Sequence, residues 1–100
     1  MGNDREIDVV LARCPEYRTS SGREQVSAMV ALANLTRRGF SDGDLSTVMS
    51  PRTVVTWAEN ATLFNDLGLA FTLTFLNRCD EDERAVVAEY FQRCIGRDLE

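Results

Sequence analysis

The stretch STVMSPRTVVTWAEN, residues 46–60, contains the clearest helix start in the chain, and the interpretation of the fold begins there. Ser50 is a favoured N-cap residue and Pro51 suits the first helical position, so a helix is predicted to begin at Pro51. Arg52 does not fit this description, because the helix dipole favours anions in the first turn and Arg52 is a cation. The sequence therefore raises the question of what Arg52 does.

The helix that begins at Pro51 is predicted to run to about Asp66, and Gly68 is expected to break the pattern after it. Its apolar stripe consists of Val54, Trp57, Ala58, Ala61 and Phe64. A large apolar side chain on such a stripe belongs to the core in most proteins. We therefore expect Trp57 to be a core residue and not a ligand-stacking one.

Two amphipathic helices are predicted before this stretch. The first covers about residues 4–13 and carries Ile7, Val10 and Leu11 at helical spacing. A polar loop is expected over residues 15–22. The spacing of Ser21 and Glu24 matches a capping box and predicts that the second helix begins there. This helix is expected to end at Gly39, with Arg37 and Arg38 in its last turn.

Two further helices are predicted after residue 66. Residues 69–76 alternate with a period of two, as in a strand, but Leu67, Phe71 and Phe75 also have helical spacing. A lone strand among helices would have no partner, so a short buried helix is the favoured prediction. The acidic run at residues 80–83 is predicted to cap the last helix, and Gly96 to end it. The apolar face of that helix is Val86, Val87, Tyr90, Phe91 and Cys94.

The whole chain, residues 1–100, is predicted to form one all-α domain, a small bundle of four to five short helices. Its 44% hydrophobic and 27% charged residues suit a single globular core. No apolar run approaches the roughly 18 residues that a membrane span needs, so no membrane association is expected. The formal net charge of −5 argues against nucleic-acid binding, which depends on clustered positive charge.

Missing residue types exclude several kinds of chemistry. All eleven basic residues are arginine, and the chain has neither lysine nor histidine. This composition excludes a Walker A lysine, a Schiff base, Ser-His-Asp catalysis and the usual zinc site. Cys14, Cys79 and Cys94 form no C-x-x-C pair, which suits a reducing cytoplasm, and Cys94 is expected to be a buried thiol. The acidic run lacks EF-hand spacing, so no metal site is predicted.

Arg52 has two interpretations from the residues alone. A helix N-terminus offers free amide donors and partial positive charge, and an arginine adds a planar fork of donors that suits phosphate. The misfit of charge is then explained if an anion binds at this point. A solvent-exposed arginine without a role is the alternative, and spacing alone leaves it open.

Four segments carry a resemblance to the C-terminal part of the AAA+ ATPase subunit of aerobic cobaltochelatase. They are residues 44–60 (DLSTVMSPRTVVTWAEN), 73–80 (LTFLNRCD), 87–94 (VAEYFQRC) and 6–15 (EIDVVLARCP). The resemblance as a whole extends over nearly the whole chain, about residues 4–98. The Ser-Pro-Arg element is shared more widely among MoxR-like AAA+ proteins, whereas the Thr-Trp-Ala-Glu-Asn continuation is more specific.

The resemblance implies that the chain is the helical lid that follows an α/β ATPase core. Arg52 would be the catalytic sensor 2 arginine, which contacts the γ-phosphate of ATP bound between core and lid. Ser50 and Pro51 would complete this cofactor-binding element, since they fix where the helix begins. The implied cofactors are ATP and Mg²⁺, both held by the whole subunit. The implied reaction is ATP-dependent insertion of cobalt into hydrogenobyrinic acid a,c-diamide in cobalamin synthesis, in the cytoplasm.

The implied partners are the core that precedes the lid, neighbouring ATPase subunits in a ring, a second ATPase-like subunit and a large chelatase subunit. The chain itself contains no Walker A, Walker B or sensor 1 segment. By itself it is therefore expected to be non-catalytic and to bind no nucleotide. Two alternatives remain: the lid of another MoxR-like activator of a metalloenzyme, and a free-standing helical interaction module.

Overall fold

The computed structural model describes residues 2–96, and every described element is helical. Five α-helices follow one another: α1 (Gly2–Arg13), α2 (Ser20–Asp42), α3 (Pro51–Phe64), α4 (Leu67–Thr74) and α5 (Arg84–Ile95). Short 3₁₀ turns lie at Pro15–Tyr17, Leu76–Arg78 and Glu81–Glu83. The predicted all-α fold is confirmed, and the strand alternative for residues 69–76 is wrong.

The start of α2 differs from the predicted capping box. Thr19 is the N-cap, and its Oγ1 accepts a hydrogen bond from the amide of Gly22 at 3.0 Å. The helix thus begins at Ser20, before the predicted pair of Ser21 and Glu24. A Cβ on Gly22 would lie 2.7 Å from the carbonyl carbon of Tyr17, so glycine is required where these two backbones meet.

The end of α2 also lies beyond the prediction. Gly39 is buried inside the helix, where its missing side chain makes room for Leu45 and for the hydroxyl of Tyr90. Its carbonyl oxygen accepts the amides of Asp44 and Leu45 at 2.8 and 3.2 Å. The residue that ends the helix is Gly43, whose φ of 87° lies in the left-handed region. The prediction that Gly39 ends the helix is wrong, because a helix end and a close packing contact both favour glycine and the sequence alone does not distinguish them.

The junction between α3 and α4 is made by Asn65 and Asp66. Asn65 adopts a φ of 53° and ends α3, and the carboxylate of Asp66 accepts the amide of Leu69 at 3.0 Å to cap α4. The prediction that Gly68 breaks the pattern is wrong, because this residue lies inside α4. Phe64, a predicted member of the apolar stripe, is 42% exposed.

The acidic run does not cap α5 with a side chain. Neither Asp80 nor Glu83 makes a cap hydrogen bond to the turn or helix that follows it. Both carboxylates instead accept from Ser46: its amide lies 3.0 Å from Glu83 Oε1 and its hydroxyl 3.2 Å from Asp80 Oδ2. These hydrogen bonds therefore connect the loop before α3 to the residues that precede α5. Gly96 ends α5 as predicted, with a φ of 89°.

The core is centred on Trp57, which is fully buried as predicted. Its ring centroid lies 4.9 Å from that of Phe71 and 6.3 Å from that of Phe91, which are distances of attractive aromatic pairs. The indole Nε1 donates to the carbonyl oxygen of Leu67 at 3.1 Å, so its one polar atom is satisfied. Helices α3, α4 and α5 meet around these rings, while α1 packs against α2 and α3.

Candidate functional site

Arg52 lies exposed in the first turn of α3, where the sequence predicts it. Ser50 is the N-cap, and its Oγ accepts the amide of Thr53 at 3.2 Å. Pro51 occupies the first helical position. Among residues 2–96, the Arg52 guanidinium has no hydrogen-bonding or ion-pair partner. The structure thus brings the three predicted site residues together and leaves the cation free.

A cleft of about 340 Å³ lies between α1 and α3 beside Arg52. It is lined by Val9, Arg13, Pro51, Arg52, Val55, Thr56 and Glu59. Arg13 and Glu59 form an exposed pair across it, with Nη2 and Oε2 3.7 Å apart. Val9 is 45% exposed and gives the cleft an apolar wall. The cleft therefore combines two guanidinium groups with apolar surface.

This arrangement suits an anion such as a phosphate group better than a metal ion. An unpaired guanidinium offers the donor fork that a phosphate accepts. Glu59 is the one carboxylate among the described residues that line this cleft, and it already pairs with Arg13. No group of three potential metal ligands lies together within residues 2–96. Within residues 2–96, this cleft therefore lacks the set of carboxylates that a divalent metal ion would need.

Sequence patterns did not reveal the part that α1 takes in this cleft. Val9 and Arg13 are four residues apart and lie off the apolar stripe of α1, so they share a helix face. Such a face is read as solvated in the absence of other information. The sequence does show that Val9 and Arg13 have i, i+4 spacing and therefore share a helix face. Only the packing of α1 against α3 shows that this face lies beside Arg52.

The cysteines offer no reactive centre. Cys14 and Cys79 are buried, and burial raises the pKa of both thiols above the ordinary value. Cys94 is only partly buried, so its prediction as a buried thiol holds in part, and desolvation raises its pKa as well. A raised pKa leaves less of the nucleophilic thiolate at neutral pH.

In the described part of the chain, no helix is long and apolar enough to cross a membrane.

Comparison with known proteins identifies the family. Residues 16–92 match the family model described as CbbQ/NirQ/NorQ C-terminal. The chain is also similar to the aerobic cobaltochelatase subunit CobS of Sinorhizobium sp, with 58% identity over 97 residues. That alignment covers 97% of the chain but only 29% of the length of this relative. No solved structure matches the chain. The resemblance noted in the sequence is confirmed, and the chain belongs to the CbbQ/NirQ/NorQ C-terminal family.

Proposed function

We propose that residues 1–100 form the C-terminal helical lid of the ATPase subunit of an aerobic cobaltochelatase. The 58% identity to a cobaltochelatase subunit supports this choice within the family, and the all-helical fold suits a lid. The α/β core that binds ATP would precede the lid in the same polypeptide. Together they would drive cobalt insertion into hydrogenobyrinic acid a,c-diamide, with cobalt as substrate.

In this proposal Arg52 is the sensor 2 arginine. Its guanidinium would contact the γ-phosphate of ATP bound between core and lid and would stabilise the charge that develops during transfer. Ser50 and Pro51 would determine where α3 begins and so where Arg52 lies. Mg²⁺ would be held by the core, since the cleft beside Arg52 offers no cluster of carboxylates.

The proposed partners follow from the same assignment. The lid would contact its own core and neighbouring ATPase subunits in a ring, and the ring would act on a second ATPase-like subunit and a large chelatase subunit. We place the assembly in the cytoplasm, because buried, unpaired thiols such as Cys14 and Cys79 suit a reducing compartment.

One observation carries the proposal: Arg52 is an exposed cation that has no ion-pair partner among residues 2–96, at a helix start that the dipole already makes positive. The helix dipole makes this placement of a cation unfavourable for the fold. An anion at the same point would interact favourably with both the guanidinium and the helix terminus. A phosphate group that comes from another domain therefore accounts for a residue that the lid alone does not explain.

The test is the Arg52→Ala variant of the full ATPase polypeptide. We expect kcat for ATP hydrolysis to fall by about 10²-fold, as for the loss of one donor to a developing anion. The matched control is Arg93→Ala, because Arg93 is also an exposed helical arginine but lies on α5 and pairs with Glu89. Unchanged turnover in Arg52→Ala would contradict the sensor 2 assignment, and an equal loss in the control would show that the effect is not specific.

A second candidate is the lid of another MoxR-like activator, because residues 16–92 match a family model, CbbQ/NirQ/NorQ C-terminal, that is not named for a cobaltochelatase. Cobalt insertion separates the two candidates. The full polypeptide, supplied with ATP, cobalt, hydrogenobyrinic acid a,c-diamide and the other two chelatase subunits, should yield the cobalt complex, which has a distinct absorption spectrum. ATP hydrolysis without cobalt insertion in this mixture would favour the second candidate.

A further inference from the structure

Met49, the residue before the N-cap of α3, is held by α2 through both of its backbone polar groups. Its amide donates to Thr36 Oγ1 at 3.1 Å, and its carbonyl oxygen accepts from Arg37 Nε at 2.9 Å. Met49 and Thr36 are fully buried, so water competes little for these hydrogen bonds. The chain therefore enters α3 from a fixed point, three residues before Arg52.

Arg37 is fixed in turn by an ion pair with α1. Its Nη1 and Nη2 donate to the two carboxylate oxygens of Glu6 at 2.9 and 2.7 Å, and Nη1 also donates to Asn34 Oδ1 at 3.0 Å. The Glu6 side chain is 9% exposed and that of Arg37 29%. A two-pronged contact of this kind fixes orientation as well as distance. One guanidinium thus joins α1, α2 and the residue before α3.

The stability of the fold does not by itself explain why Glu6 and Arg37 form a charged pair at these positions. Burial of an ion pair carries a desolvation cost that often cancels its Coulomb attraction, and apolar side chains of similar volume can be as stabilising. An apolar residue at position 37, however, would have no donor for the carbonyl oxygen of Met49. What the pair adds is a directional link between Glu6 and Met49.

We propose that the Glu6–Arg37 pair is a positioning device for Arg52, which makes the direction of the Arg52 side chain depend on where α1 lies. This inference rests on the function proposed above. In a lid that follows an ATPase core, α1 precedes the other four described α-helices and so lies nearer to that core along the chain. A shift of α1 would move Glu6, then Arg37 and Met49, and finally the start of α3. Helix α1 forms one wall of the cleft and α3 the other, so the pair also fixes the position of one wall relative to the other.

A double-mutant cycle in the full ATPase polypeptide tests this proposal. Arg37→Lys keeps the charge but loses the fork and the donor to Met49. We expect kcat for ATP hydrolysis to fall about tenfold and KM for ATP to rise by a smaller factor, since the displaced guanidinium still lies near the γ-phosphate and a small misplacement costs most in the transition state. In the Arg52→Ala background the same substitution should change kcat by less than about twofold, because no arginine remains to be misplaced.

Glu6→Gln is the second variant, because it keeps the shape of the side chain and removes only the charge. It should give a smaller loss of kcat with the same dependence on Arg52. Arg93→Lys, which alters the exposed pair with Glu89, is the control and should leave kcat unchanged in both backgrounds. Thermal unfolding of every variant reports the structural contribution.

Two results would overturn the positioning role. The first is a loss of kcat on substitution of Arg37 or Glu6 that is equally large with and without Arg52, which would show that the pair acts on the fold and not through Arg52. The second is an unchanged kcat in both Arg37→Lys and Glu6→Gln, which would show that the pair does not affect catalysis. Neither result touches the proposed function. That function fails by a different result, unchanged turnover in Arg52→Ala alone.

Discussion

The fold of this domain does not explain Arg52, and the role that we propose for it lies outside that fold. The first turn of α3 has a good N-cap in Ser50 and a preorganised first residue in Pro51, so the helix needs nothing further there. A cation at the next position is disfavoured by the dipole, and no residue in the described range 2–96 forms an ion pair with it. The stability of the lid and its proposed role therefore make opposite demands on this position.

This opposition leads to a prediction at the residue scale. Arg52→Glu should raise the free energy of unfolding of the 100-residue chain by about 0.5 kcal/mol, because an anion in the first turn interacts favourably with the dipole. Arg93→Glu is the matched control with the opposite sign, since Arg93 lies in the last turn of α5, where cations are favoured. Urea unfolding at low ionic strength measures both. Destabilisation by Arg52→Glu would show that the arginine supports the fold.

Residues with local roles were predictable and residues with distant partners were not. Ser50, Pro51 and Arg52 follow from rules that concern four or five neighbouring positions, and the structure places all three as predicted. The sequence predicts that Arg37 lies in the last turn of α2, where a cation interacts favourably with the helix dipole. It lies inside α2 and pairs with Glu6, which is 31 positions away. No local pattern specifies which buried carboxylate a given arginine will meet.

At the scale of elements, helices were predictable and some of their ends were not. Two of the misplaced boundaries involve a glycine that the sequence pattern predicts to stop a helix and that lies inside one instead. Gly39 stays in α2 because Leu45 and Tyr90 pack against it, and Gly68 stays in α4 because Asn65 has already turned the chain. The sequence offers the same glycine for a stop, a close approach or an unremarkable helical position.

The caps of α3 and α4 provide a matched pair of predictions. Ser50→Ala and Asp66→Ala each remove one side-chain acceptor from a helix start, so each should lower the free energy of unfolding of the chain by about 1 kcal/mol. Only Ser50→Ala should also lower ATP hydrolysis in the full polypeptide, because only α3 carries Arg52. Urea unfolding and steady-state turnover are measured on both variants. An equal loss of turnover in Asp66→Ala would attribute the effect to stability.

At the scale of the whole molecule, the bundle places Arg52, which has no ion-pair partner among residues 2–96, at the edge of a cleft between two helices. Helix α3 contributes Arg52 from within the segment that the family model matches, whereas α1 lies before residue 16, outside that match. The alignment with the cobaltochelatase subunit spans 97 residues, so its similarity extends well beyond the family model. The fold was predictable from periodicity, but the cleft was not, because it depends on how α1 packs against α3.

The central claim is that Arg52 contacts the γ-phosphate of ATP, and nucleotide affinity tests it most directly. Calorimetry on the full ATPase polypeptide and its Arg52→Ala variant would compare a non-hydrolysable ATP analogue with ADP. Loss of one charge-assisted contact of about 1.5–3 kcal/mol should weaken binding of the analogue by at least about tenfold. The affinity for ADP, which lacks the γ-phosphate, should stay within about twofold of the parent value. Equal weakening for both nucleotides, or none for either, would contradict the claim.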